Sequence, residues 1–531
     1  QGIFGAPALS DLDGDGALDI VIATVDGVVH AFSNDGNPIE GWPVTLPEVL
    51  PCDAPDADAE RCSSARSRIA RGALASPVIA DIDADSRLEI VQAGLDGYLH
   101  AFEVNGDIVE GWPHRVHHES ARPRPLTTSP AVGDFDGDGR AELLIGGAQQ
   151  LDSSEALGAF TLLRTLDGKP LGNWPVSVET RSLEPLIGEG AAPTPLAADV
   201  DADGRVDAVV HGNGGVLWAL PANPGTQAEA GARPSGALPD PAEEEATEDD
   251  PAMPIAAFAP DQIGVAASAA LRGPIGLSNF QAAAGDLDQD GFADIVGAGA
   301  EARLMDSVGK VLPRAERGRH VIAMYNGRTG AIVPTSPSVL EDTPELSAPA
   351  VADITGDGYP EAIVGSAGYR VHALDACGRP APGWPKQTGQ WVVGAPAVGD
   401  IDGDGRLDVV VATHNGWVFA WSTAGPAADG VVAWESTHHD LRNTSNYETP
   451  LDQGTLRSSA PALRYAADGS CITEEQPPED EPEPTLRARG GCAMAAAAPE
   501  RRQRDALGAL VVFLLLVRRC SRRRLDAFGR L

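Results

Sequence analysis

Short apolar stretches alternate along this chain with polar turns, and they do so in a fixed order. A small, Pro-containing stretch (APALS, SPVIA, SPAVG, APAVA or APAVG) leads into an acidic nine-residue turn. An apolar run follows it: IVIAT, IVQAG, LLIGG, AVVHG, IVGAG, AIVGS or VVVAT. Many copies then pass through Asp-Gly, Gly-Gly or Asn-Gly into a third stretch: VVHAF from Val28, YLHAF from Tyr98, VLWAL from Val216 and WVFAW from Trp417. Asp-Gly and Asn-Gly tolerate the positive φ angles of tight hairpins. Another Gly turn leads to a fourth strand, expected to end in GWP or NWP at Trp42, Trp112, Trp174 and Trp384. Apolar runs of about five residues between turn signals read as strands. The expectation is an all-β chain built of four-stranded antiparallel units.

Aligned on its acidic turns, the chain gives seven copies in one register. They are DLDGDGALD from Asp11, DIDADSRLE from Asp81, DFDGDGRAE from Asp134, DVDADGRVD from Asp199, DLDQDGFAD from Asp286, DITGDGYPE from Asp353 and DIDGDGRLD from Asp400, with starts 47 to 87 residues apart. Repeated sheets that bury each other's faces avoid open edges, so the predicted fold is a seven-bladed β-propeller, with an eighth blade left open. SAPALRYAADG from Ser459 resembles a shortened repeat start that closes the ring or marks a decayed eighth blade. The propeller is placed at residues 1–470, with a Pro/Ala/acid-rich insertion expected to be disordered at about 223–254.

In each turn acids stand at positions one, three, five and nine, so four carboxylates can converge on one point. The positions are Asp11, Asp13, Asp15 and Asp19; Asp81, Asp83, Asp85 and Glu89; Asp134, Asp136, Asp138 and Glu142; Asp199, Asp201, Asp203 and Asp207; Asp286, Asp288, Asp290 and Asp294; Asp353, Thr355, Asp357 and Glu361; Asp400, Asp402, Asp404 and Asp408. Such clusters repel themselves unless a cation joins them. Calcium takes six to eight oxygens and suits an all-oxygen loop without His or Cys, whereas magnesium demands a stricter octahedron. Up to seven calcium ions are expected. Ser86 replaces the usual position-six Gly and Thr355 a position-three acid, so the second and sixth loops are expected to bind most weakly.

Net charge is −38, with 77 acidic against 39 basic residues, which argues against nucleic acid or anionic lipid as partners. Cys52 and Cys62 bracket a short polar insertion that a disulfide could close, and Cys377 and Cys471 could pair across the fold. Residues 471–491 read as an acidic, Pro-rich linker. The tail, 492–531, holds Cys492, a basic group at Arg501, Arg502 and Arg504, and a short apolar helix at 506–517 followed by RRCSRRR. That helix is shorter than the roughly twenty residues of a stable span, and the basic residues after it favour the cytoplasmic side, which places the propeller outside. The first residues already read as a working repeat, so a signal peptide, a further blade or a catalytic domain upstream of Gln1 is an open expectation.

The DxDxDGxxD turns between Pro-containing and apolar strands resemble FG-GAP (VCBS-type) repeats, as in bacterial surface proteins and the integrin α-subunit propeller. The resemblance covers roughly residues 1–450 and implies calcium held on one face of the propeller by positions one, three, five and nine. WESTHHDLRNTSNY from Trp434 is similar to the closing strand of such bacterial propellers. The tail resembles a myxobacterial C-terminal sorting tag, which implies processing or lipid anchoring at Cys492 and delivery to the cell surface.

The expected function is a non-enzymatic, calcium-dependent binding or adhesion module, monomeric, tied to the membrane by its tail and facing an extracellular protein or glycan. HExxH, GxSxG and phosphate-loop motifs are absent from the sequence. The alternative is a scaffold or accessory part of a secreted lyase, hydrolase or protease. Its catalytic candidates are His117, His118 and Glu119, or His438, His439 and Asp440, each expected as a solvated loop. His30, His100 and His372 share one repeat position, which argues for packing.

Overall fold

The computed structural model describes residues 2–47, 71–116, 126–147, 157–172, 174–179, 194–211, 217–222, 257–258, 275–276, 282–301, 320–328, 330, 332–344, 347–466 and 469–472. The predicted insertion at 223–254, the loop with Cys52 and Cys62, the cluster His117–Glu119 and the whole tail with Cys492 lie outside them. Among the described residues there is no helix, and none therefore long and apolar enough to cross a membrane. Residues Gln1–Thr473 form one compact unit.

The predicted order of the first three strands holds in every repeat. In all seven repeats the first strand pairs antiparallel with the second, and the residue before the loop always faces position nine: Ser10 with Asp19, Ala80 with Glu89, Gly133 with Glu142, Ala198 with Asp207, Gly285 with Asp294, Ala352 with Glu361 and Gly399 with Asp408. The first four sheets are four-stranded, the first running Ala8–Ser10, Asp19–Ala23, Val28–Phe32 and Val44–Thr45. The fifth gains Ile275–Gly276, and the sixth gains Val432–Trp434 beside its first strand, Ala350–Ala352. The seventh has three strands, Ala397–Gly399, Arg406–Ala412 and Val418–Pro426.

The Trp-Pro motifs stand before the fourth strand and do not end it: Val44–Thr45, His114–Arg115, Val176–Glu179 and Lys386–Gln387 each start just after a Trp-Pro pair. All four of these Trp-Pro bonds are cis. The indole is used between sheets. Trp42 Nε1 donates to the Val104 carbonyl of the second sheet (2.7 Å), and Trp174 Nε1 to the Ala222 carbonyl of the fourth (2.7 Å).

Burial follows one rule along the series. The residue after position nine faces the preceding sheet, and the next residue faces the following sheet, so Val21 packs with Ile90, Val91 with Leu143 and Leu144 with Ala208. At the first of these two positions Ile90, Leu143, Ala208, Ile295, Ala362 and Val409 are fully buried, whereas Ile20 is 38% exposed. At the second, Val410 alone of the seven is half-buried. Among the described residues nothing covers the preceding face of the first sheet or the following face of the seventh, and Trp417 and Val418 beside the latter are about two-thirds exposed. The succession of sheets is propeller-like but not closed by packing at this seam.

What joins the sheets is the segment 431–447. The amide two residues before position one donates to it in five repeats: Leu9 to the Leu441 carbonyl (2.7 Å), Ile79 to Arg442 (3.0 Å), Val132 to Thr444 (2.9 Å), Ala197 to Ser445 (2.9 Å) and Val398 to Glu435 (2.8 Å). In the sixth repeat Val351 pairs with Trp434. Only the start of the segment similar to a closing strand is a strand; the rest crosses from one innermost strand to the next. SAPALRYAADG does not fill the seam. Its Arg464–Tyr465 pairs with Cys471–Ile472, and it lies against the fifth and sixth loops through Leu463 N to Asp288 O (2.8 Å) and the Tyr359 hydroxyl to Pro461 O (2.7 Å). The Cys377–Cys471 disulfide fastens it to the sixth sheet.

Asn443 tests the central segment. Its buried amide donates to the carbonyls of Pro7 (3.0 Å) and Pro77 (2.9 Å), at the starts of the first and second sheets. Asn443→Asp removes both donors and sets a carboxylate against two carbonyls, so unfolding in urea should show a loss of roughly 2 kcal/mol or more. Unchanged stability would mean that the segment is not anchored through this amide.

Candidate metal loops

Each acidic turn is wound around its own carboxylates. The position-six amide donates to Oδ2 of position one at 2.8–3.0 Å in all seven loops. The position-seven amide donates to position five at 2.8–3.1 Å. The position-two amide reaches across the turn to position nine at 2.9–3.1 Å. In six loops position three also accepts from the position-five amide at 3.0–3.2 Å. Such bonds from short acidic side chains to nearby amides are what favours Asp in turns over strands and helices.

Positions four and six have positive φ in every copy. Position six is Gly except at Ser86 (φ 68°), whose amide still bonds Asp81, so the second loop keeps the common shape. Position four is Ala84, Ala202 and Gln289 in three loops, left-handed residues that the surrounding hydrogen bonds hold in place. In the sixth loop Thr355 donates its amide (3.2 Å) and hydroxyl (3.3 Å) to Asp353, which keeps the turn with one carboxylate fewer.

Carboxylate oxygens come within 4.8 Å of one another in groups of three: Asp11, Asp13 and Asp15; Asp81, Asp83 and Asp85; Asp134, Asp136 and Glu142; Asp199, Asp201 and Asp203; Asp286, Asp288 and Asp294. Several acidic clusters could therefore hold a metal ion. The position-nine residues Asp19, Glu89, Glu142, Asp207, Asp294, Glu361 and Asp408 are all buried. Asp19 Oδ1, Glu89 Oε1 and Asp286 Oδ1 are buried with no hydrogen-bond partner. Burial without a partner is costly for a carboxylate, and a hard cation is the group that would satisfy such an oxygen. The donor set fits a calcium-like ion.

The same burial raises the acids. Glu89 and Glu142 are pushed up to about 7, Asp207 to about 8 and Glu361 to about 9, with desolvation the leading cause. Neighbouring carboxylates add to it, and the bond from the position-two amide opposes it.

Two asparagines outside the repeat pattern also reach the loops, each from the turn after a third strand. Asn34 donates to Asp15 (3.0 Å), and Asn326 stands 3.2–3.3 Å from Asp288, Asp290 and Asp294. No acidic spacing signals them. His438, His439 and Asp440 are not a solvated loop: all three are buried in the central segment. His438 Nε2 bonds Ser76 Oγ (2.8 Å), and burial pushes its pKa down to about 4. His439 packs edge-on against Trp434, and Asp440 accepts from His439 and Thr444. His30 and His100 stack on Phe32 and Phe102, while His372 bonds Glu341 (2.8 Å).

The raised acids give metal-free protein a definite pH dependence. Their folded pKa values exceed the unfolded ones, so the contribution is complete below about pH 4 and is lost as pH rises through 7 to 9. With chelator present, the melting temperature should fall between pH 5 and pH 8, and Glu361→Gln should flatten that fall. A chelated protein that gains stability over this range would contradict the geometry.

A family model described as an FG-GAP-like repeat matches residues 81–145, which hold the second and third loops. No curated protein matches the chain. Solved structures with similar chains include BBS1N in complex with ARL6DN (11% identity, 80% of this chain and 93% of that one, TM-score 0.41). Quinohemoprotein alcohol dehydrogenase from Comamonas testosteroni is another (12% identity, 81% and 72%, TM-score 0.35), as is the exotype rhamnogalacturonan lyase YesX (14% identity, 88% and 71%, TM-score 0.39). The match at residues 81–145 supports the FG-GAP resemblance for a stretch whose loop geometry recurs in the other five copies.

Proposed function

We propose that this protein is a calcium-binding, non-enzymatic binding or adhesion module of the cell surface, its seven repeat sheets acting as blades around the segment 431–447. The observation that carries the calcium reading is the fifth loop, where Asp286, Asp288 and Asp294 bring carboxylate oxygens within 4.8 Å of one another and Asp286 Oδ1 is buried with no hydrogen-bond partner. Calcium, when bound, supplies a shared positive centre for each group of three carboxylates that otherwise repel. The chain's own part is to bring those carboxylates together and to fix each one by a backbone amide.

Three further elements belong to this reading. Ligands are an extracellular protein or glycan, met by surfaces away from the loops. The tail with Cys492 and 506–517 holds the module at the membrane. Catalysis is assigned to no residue, since His438, His439 and Asp440 are buried within the segment that joins the sheets.

Calcium should raise the melting temperature of chelator-stripped protein, because each site filled at a hundredfold excess over its Kd adds about 2.7 kcal/mol. Magnesium at equal concentration should give much less. Equal melting temperatures with chelator and with calcium would sink the proposal. Glu89→Gln and Glu142→Gln should each remove one ion from the stoichiometry measured by calorimetry.

A further inference from the structure

The fifth loop differs from the other six in what surrounds it. Positions one and three of the fifth loop, Asp286 and Asp288, are each less than 5% exposed, whereas the same two positions of the first, second, third, fourth and seventh loops are exposed or half-exposed; Asp290 at position five is half-exposed. Two elements remote in sequence do this. From one side the turn after His320–Tyr325 brings Asn326, whose amide nitrogen is 3.3 Å from Asp288 Oδ2, 3.2 Å from Asp290 Oδ2 and 3.2 Å from Asp294 Oδ1. An NH2 group has two hydrogens and cannot satisfy three acceptors at once. With the amide turned over, its oxygen faces the same three carboxylates, which a cation between them would favour. Asp286 Oδ1, buried and without a hydrogen-bond partner, belongs to the same cluster.

From the other side the strap 456–465 lies over the loop. Ser458 donates its amide to the Gln289 side chain at position four (2.9 Å) and its hydroxyl to the Gly358 carbonyl of the sixth loop (2.7 Å), and Leu463 N donates to Asp288 O (2.8 Å). Arg457 Nε stands 3.5 Å from Asp286 Oδ2. Leu456, Leu463 and Tyr465 pack against the core shared by the fourth, fifth and sixth sheets, and the Tyr465 hydroxyl is buried without a partner. Beyond Tyr465 the chain turns and returns to Cys471, which the disulfide holds to Cys377.

We propose that the fifth loop is a closed divalent-cation site in which Asn326 is an additional side-chain ligand, and that the strap 456–465, fastened by Cys377–Cys471, keeps its ion from exchanging. This rests on the calcium reading of the loops. The five loops away from the strap exchange their ions freely with solvent, the sixth, which the strap touches only at Gly358 and Tyr359, exchanges with them, and the fifth releases its ion when a thiol reductant opens the disulfide and the strap lifts.

The test uses the full chain loaded with calcium-45 and chased with excess unlabelled calcium, with retained label measured after gel filtration. One ion per chain should leave slower than the rest by roughly tenfold or more, an increment of about 1.4 kcal/mol in its exit barrier. Asn326→Ala should abolish the slow fraction and leave the fast ions unchanged, and Asn326→Asp, which restores an oxygen, should bring it back. Reductant on the unmodified protein should turn the slow ion fast, with circular dichroism confirming that the sheets persist. A protein that binds no calcium defeats the underlying reading. Calcium bound with a single fast phase defeats this proposal alone, as does a slow ion that survives both Asn326→Ala and reduction. If Asn326→Ala does not fold, Asn326→Asp and the reduced protein decide: loss of the slow ion in the first, or its persistence in the second, overturns the proposal.

Discussion

The repeated turn in this fold gathers backbone amides onto carboxylates, and every sheet starts from it. One oxygen of position nine takes the amide of position two, and one oxygen of position one takes the amide of position six. The first two strands of each repeat are thereby set in the same register seven times over. The remaining oxygens cannot all be met by amides of the same turn, which leaves Asp19, Glu89 and Asp286 with buried oxygens that lack a partner. The local solution to the turn thus creates the electrostatic problem at its centre. That problem is what a cation held among these carboxylates could relieve.

A second constraint acts at the scale of the whole array. Sheets that bury both faces against neighbours need a neighbour on each side, and among the described residues the first and seventh sheets each lack one. The fold makes up for the uncovered seam at its axis. The segment 431–447 accepts an amide from the same repeat position in five sheets, so it does for the array what closure by packing would do. The burial of His438, His439 and Asp440 is a consequence. These residues occupy the one segment that nearly all the sheets must reach, and their polar groups are spent on Ser76, Ser445, Thr444 and each other.

The repeat register, the all-β class and the four acid positions were legible because each is a local property: side-chain alternation in a strand and side-chain-to-amide bonds within nine residues. The preservation of the second loop around Ser86 was less so, since the positive φ is enforced by Asp81 and is not announced by the residue itself. The order of the Trp-Pro pair and the fourth strand was misjudged for a related reason. The indole's role is to reach the next sheet, which a single repeat does not reveal.

By itself, then, the sequence determined the first strands of each unit and the acidic turn between them, while the structure brings three of the four acids together in each group described, leaving Asp19 and Glu89 outside theirs. Tertiary structure alone decided which units are covered, because coverage depends on residues far apart in the chain. Asn326 reaches the fifth loop from 32 to 38 residues away, and Ser458 from 169. By its local pattern, SAPALRYAADG from Ser459 reads as a shortened repeat start that closes the ring or marks a decayed eighth blade. The disulfide to Cys377 and the bonds to Asp288 and Tyr359 instead make it a cover for loops that a repeat-by-repeat reading treats as equivalent.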